Sequence, residues 1–252
     1  MRSTLVSALL GLSLLTGCEV GDPGIGIGGG PDAGIEVDAP AAVPRLDVIV
    51  DQPTVMTELG TSTMITVTLA GAGGFAGAVT LAATVVDGAG AALPGWTVGL
   101  DQPTVTVAAN GSAVVVATLQ VPTRNGGLTG TVKIDAVSSL GTQTLTSAVT
   151  ALNQVSVTVT ENAGQCVYPP ATPLQVVAGT KVRFVNKFTA DNITIHVDGN
   201  ANNVPHEGDP GHAPNTAYER EVMGTTGTIT WYCHAPGPNL GGSNPSFQVV
   251  AP

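Results

Sequence analysis

Met64-Ile65-Thr66-Val67-Thr68-Leu69 alternates apolar and hydroxyl side chains at period two, the pattern of a strand with one face buried. The same pattern recurs on both sides of it. Ala78 to Val85, Ala113 to Leu119, Thr131 to Ala136 and Thr144 to Ala151 read as further strands. Gly71-Ala72-Gly73-Gly74, Asn110-Gly111 and Asn125-Gly126-Gly127 separate them as turns. Short strands punctuated every ten residues or so predict a β-sandwich between about Arg45 and Val159. Asp-Gln-Pro-Thr-Val occurs twice, at Asp51 to Val55 and Asp101 to Val105. Two copies are too few for a solenoid, so they read as equivalent corners of the two halves of one sandwich.

Composition agrees with an all-β chain and narrows the partners. The 252 residues include 33 Gly and 18 Pro, with only 10% charged residues. Eight Lys and Arg stand against 18 Asp and Glu, a net charge of −10, which gives no electrostatic footprint for a phosphate backbone. Nucleic acid is thereby excluded as a partner.

The N-terminus sets the compartment. Met1-Arg2 followed by an apolar run from Leu5 to Leu15 has the form of a signal peptide, and the run is too short to span a bilayer. Leu15-Thr16-Gly17-Cys18 resembles the bacterial lipobox. That resemblance implies cleavage before Cys18, acylation of its sulfur and a stable lipid anchor. Glu19 rather than Asp after the Cys implies the outer membrane of the cell envelope. The other reading is an ordinary signal peptide with an incidental Cys18. Residues 1–18 are thus the lipoprotein signal, and 19–44, rich in Gly, Pro, Ala and Asp, a flexible tether.

The span 45–159 holds no His and no Cys, and its carboxylates are scattered, so it offers no catalytic set. Trp96 reads as core. With Phe75 to Leu81, Leu93-Pro94-Gly95-Trp96 and the strand after Asn110-Gly111-Ser112, the span resembles the immunoglobulin-like modules of bacterial surface proteins, which implies a spacer or adhesion role.

The chemistry gathers in residues 160–252, which hold all four His, two of the three Cys and seven of the nine aromatic residues. Leu174 to Asn186 with its Val-Ala-Gly179 turn, Asn192 to Val197 with His196, and Gly227 to His234 with Tyr232-Cys233 follow one another in an order that resembles the cupredoxin domain. The resemblance implies a Greek-key β-sandwich in which His196 and Cys233 bind one copper ion for electron transfer or copper handling, with a redox protein as partner. Thiolate and imidazole ligands in a trigonal site suit both copper oxidation states. The family's second His does not carry over, because Pro238 stands where the plant-type loop has it, and neither does its axial Met, since no Met follows Cys233. His234 is the provisional third metal ligand, although neighbouring residues of a strand point to opposite faces.

Two alternatives use the same residues. With Cys18 acylated, Cys166 and Cys233 are the remaining thiols, and in an oxidising compartment they pair if geometry allows. The chain would then be a metal-free structural or interaction lipoprotein with a Cys166–Cys233 disulfide. Pro205-His206-Glu207-Gly208-Asp209-Pro210-Gly211-His212 could instead hold Ca²⁺ or Zn²⁺, or be a solvated connection. No nucleophile elbow and no HExxH helix occurs, so no enzyme is expected.

Overall fold

The structure, a computed structural model, describes residues 41–124, 127–162, 165–167, 174–198, 206–224, 226–234 and 245–251. Cys18 and most of the tether lie outside them. Every regular element among the described residues is a strand, and residues 41–252 form one compact unit. No helix there is long and apolar enough to cross a membrane.

The five strands read from the sequence are all present, each extended by one to three residues at either end. β1 (Arg45–Val50), β3 (Ser62–Ala72), β7 (Ser112–Gln120) and β5 (Thr97–Leu100) form one sheet in the order β1-β3-β7-β5. β2 (Thr54–Glu58), β9 (Gly141–Leu152), β8 (Thr129–Ser138), β4 (Gly77–Val86) and β6 (Thr104–Val107) form the other, in the order β2-β9-β8-β4-β6. The inward side chains of both meet in one core, with Ile65, Val67, Leu69, Val115 and Leu119 from the first sheet and Val79, Val107, Val132 and Ile134 from the second. Trp96, 5% exposed, belongs to this core.

The repeated pentapeptide has one structural meaning in both places. Each copy follows an edge strand of the four-stranded sheet, β1 or β5, and leads into an edge strand of the five-stranded sheet, β2 or β6. Asp51 binds the backbone of Thr66 twice, its amide donating to the carbonyl at 3.0 Å and its Oδ1 accepting from the amide at 2.8 Å. Asp101 binds Val116 with the same two bonds at the same lengths. Thr66 and Val116 are themselves partners across β3 and β7, so the corners are related by a local two-fold through the centre of that sheet.

A second core begins directly afterwards. β10 (Gln154–Asn162) is separated from β9 by Asn153 alone, and its Val155, Val157 and Val159 face the second cluster. The change of core therefore falls at Asn153, ahead of the shift in composition near Val159. β11 (Gln165–Val167), β10, β13 (Lys181–Asn186) and β15 (Ala217–Glu221) make one four-stranded sheet in that order. β12 (Leu174–Val177), β17 (Ser246–Val250), β16 (Gly227–His234) and β14 (Thr194–Asp198) make the other. Between the two sheets lie Phe184, Trp231, Ile195 and Phe247, with Phe184 edge-on to Trp231 at 4.8 Å. Arg183 of this sandwich reaches Glu58 of the first at 3.1 Å, and Gln154 donates to the same carboxylate oxygen at 2.6 Å.

Candidate functional site

β14 and β16 run antiparallel with Thr194 opposite His234, Ile195 opposite Cys233 and His196 opposite Tyr232. Side chains alternate across a strand. Ile195 and Cys233 point inward, 0% and 2% exposed, so His196, Tyr232 and His234 share the outer, half-buried face. The Cys233 sulfur is bonded to Cys166 of β11, with 6.3 Å between the Cα atoms. This disulfide joins the two sheets through the core, because β11 and β16 belong to different ones.

The expected copper centre of His196, Cys233 and His234 is corrected on both counts. A sulfur in a disulfide is not the thiolate that blue copper requires, and the sheet separates it from the two imidazoles. The residues do not fit that cofactor. Pro238 and the rest of the loop at 235–240 lie outside the described residues. Among the described residues no three His, Cys, Asp or Glu side chains form a cluster able to hold a metal ion.

The two imidazoles do meet. Nε2 of His196 and Nε2 of His234 lie 2.5 Å apart, with the rings 4.4 Å between centroids and 25° from parallel. Tyr232 stacks on His196 at 4.9 Å and 9°. His206 stands edge-on to His196 at 5.0 Å, and its Nδ1 faces the Val197 amide at 3.4 Å.

His206, itself exposed, is delivered by a segment that, over residues 206–212, is largely solvated as one reading had it but is pinned to β14 through Glu207 and His212. The Glu207 carboxylate accepts from the Ile195 amide at 3.0 Å and meets Nδ1 of His212 at 2.8 and 2.9 Å. Both side chains are 9% exposed. The Glu207 amide donates back to the Ile195 carbonyl, and His212 and Ile193 exchange both backbone bonds. Asp209 accepts from the Thr194 hydroxyl at 3.1 Å. Gly211 has φ +73°, and a Cβ there would sit 2.1 Å from the Ile193 carbonyl oxygen, so only glycine allows this approach. With Glu207 and Asp209 committed to these bonds, the Ca²⁺ or Zn²⁺ site read from the segment is not assembled. Nε2 of His212 is buried with no hydrogen-bond partner among the described residues. Tyr218 lies 6.4 Å from the His212 ring, and burial holds its hydroxyl above the ordinary tyrosine value of 10.0.

The alternation of Trp231-Tyr232-Cys233-His234 was the readable signal that Cys233 and His234 part company. The meeting of His196 with His234 depends on the β14/β16 register, and the place of His206 on the Glu207 anchor. Neither is written in local sequence.

No family model matches the chain, and no curated protein does. Solved structures give distant likenesses. A family 123 glycoside hydrolase from Clostridium perfringens is 9% identical over 44% of this chain and 30% of its own, with a TM-score of 0.36. Domains 4 and 5 of the S-layer protein SbsC are 18% identical over 44% of this chain and 54% of theirs, with a TM-score of 0.32. The Salmonella enterica SafA pilin in complex with the SafB chaperone gives 14% identity over 81% of this chain and 96% of that one, with a TM-score of 0.32. The chain thus spans less than two thirds of the first two.

Proposed function

We propose that the protein is a non-catalytic structural or interaction lipoprotein of the bacterial cell envelope. Acylated Cys18 holds it to the outer membrane, residues 19–44 tether it, the first sandwich is a spacer, and the second is the displayed tip. The observation that supports this reading is the Cys166–Cys233 disulfide. It is the bond that an oxidising compartment favours, and it occupies the sulfur that copper-based electron transfer would need. A redox protein partner therefore drops out of the reading, and membrane lipid remains. The absence of His and Cys from 45–159 agrees with a spacer.

Thiol counting on the denatured full-length chain, with and without reductant, tests it. The expected result is no reactive thiol at Cys166 or Cys233 before reduction and two after it. Adding Cu(II) to the unreduced protein is expected to give no intense thiolate-to-copper absorption. Cys18→Ala is expected to abolish fatty-acid labelling and move the protein out of the membrane fraction. A free Cys233 with an intense visible band on copper addition overturns the reading of the tip, and membrane retention of Cys18→Ala overturns the anchor.

A further inference from the structure

We infer that residues 206–212 are a strap that closes the edge of β14 to strand addition, and that the strand it excludes is β14 of a second copy of this chain. The inference goes beyond the structural reading above and does not depend on it.

β14 ends its sheet, with β16 as its one strand partner among the described residues. In an antiparallel ladder, alternate residues turn their backbone groups toward one neighbour or the other. Those turned away from β16 belong to Ile193, Ile195 and Val197, and a bare row of such groups is a template for another chain. The strap covers that row. His212 and Ile193 exchange both backbone bonds, at 3.1 and 2.9 Å. The Glu207 amide donates to the Ile195 carbonyl at 3.0 Å, and its carboxylate accepts from the Ile195 amide at 3.0 Å. His206 closes the series at the Val197 amide.

The strap stands in the place of a strand without being one. It runs antiparallel to β14, but residues 208–211 all fall between two contacts that a single residue of β14, Thr194, separates. Such a bulge, with charged side chains set against the backbone, is how exposed sheet edges are kept from pairing. Side chains do much of the holding: the Glu207 carboxylate replaces a backbone acceptor and is fixed by His212, while Asp209 takes the Thr194 hydroxyl. Seating the strap also buries Nε2 of His212 with no hydrogen-bond partner among the described residues, which costs stability.

What the strap covers fits a copy of itself. About a two-fold axis at Ile195, antiparallel pairing of two β14 strands sets Ile195 opposite Ile195 and Ile193 opposite Val197. These three side chains are at most 5% exposed and face the core, so the pairing joins the apolar layers of the two copies. Thr194 falls opposite His196, and no two like charges meet from 193 to 197.

Two substitutions lift the strap by different routes. Gly211→Ala removes none of its side-chain bonds, but at φ +73° the new Cβ would sit 2.1 Å from the Ile193 carbonyl oxygen. Glu207→Ala removes the carboxylate. Both are made in the full-length, unreduced chain carrying Cys18→Ala, so that lipid does not drive association. In sedimentation velocity the Cys18→Ala parent is expected to stay monomeric, and both variants to dimerise as concentration rises. At low concentration the Ile193 and Ile195 amides should exchange at least about tenfold faster than in the parent, and regain protection in the dimer, while amides of β13 keep theirs throughout. Asp209→Ala, which removes only the bond to Thr194, should shift exchange and association in the same direction by less. Unchanged exchange at Ile195 in all three variants overturns the strap. Variants that free this edge and stay monomeric overturn the partner, and dimers whose Ile193 and Ile195 amides still exchange fast pair elsewhere and overturn it as well.

Discussion

The two sandwiches solve the same problem with different means. The first has five strands of nine residues or more, β3, β4, β7, β8 and β9, and neither Cys nor His. Among the described residues the second has one such strand, β10, and its others run from three to eight residues. Short strands bury less apolar area and form fewer ladder bonds, and a small core in an oxidising space is where disulfides recur. Long strands and paired aspartate corners stabilise the first. Aromatic side chains and an inter-sheet disulfide stabilise the second. The residues with chemistry to offer then lie where the frame is stapled, on the outer face of the strand that carries Cys233.

The disulfide is where this contrast is most easily broken. It spans 67 residues, and a loop of that size contributes about 4 kcal/mol in the chain-entropy account. Cys166→Ala/Cys233→Ala, or reduction of the parent, is therefore expected to lower the melting transition of the second sandwich by an amount of that order. The first sandwich should melt unchanged. Calorimetry together with hydrogen exchange resolved by region checks this, since amides of β3, β7 and β8 should keep their protection while those of β13 and β16 lose it. Equal loss in both regions would mean that the two cores unfold as one.

The aspartate corners sharpen the other side of the comparison. Asp51→Ala and Asp101→Ala each remove one carboxylate bond to a backbone amide, worth about 1 kcal/mol at an exposed position. Because the corners are related by the local two-fold, the two losses should be equal, and chemical denaturation measures both. Asn, which keeps the acceptor oxygen, should restore most of the stability at either position. Markedly unequal losses would show that the repeat is a likeness of sequence without equivalence of load.

How much could be read in advance differs between the halves for the same reasons. The first sandwich was legible because Ile65, Val67 and Leu69 repeat at the period of the structure they form, and because the pentapeptides mark its corners. In the second, the turn at Gly179, with φ +87°, and the strands around it were equally plain. The site was not. Whether Cys233 meets a metal or Cys166 depends on where β11 comes to lie, and that is fixed by pairing with β10 rather than by anything near Cys233. His206 reads from the sequence as part of a Ca²⁺ or Zn²⁺ loop or of a solvated connection, but its position follows from Glu207 gripping the Ile195 amide. A carboxylate followed five residues later by a histidine does not announce such a bond.

The smallest effect concerns the contact between the two sandwiches. Glu58 closes β2, accepts from Gln154 at 2.6 Å and pairs with Arg183 at 3.1 Å, while Arg183 also holds Glu219. Both members of the Glu58–Arg183 pair remain partly exposed, at 22% and 30%, so the interaction is worth no more than about 1 kcal/mol and weakens with salt. Glu58→Gln keeps an acceptor for Gln154 and removes the charge facing Arg183. It should leave each sandwich's own stability nearly intact, yet separate their melting transitions further by loosening the link between them. A double-mutant cycle of Glu58→Gln with Arg183→Met, run at low and high salt, isolates the pair. A coupling that is small and falls with salt fits two cores joined by a surface contact, whereas a large, salt-insensitive one would make Asn153 an internal corner of a single cooperative unit.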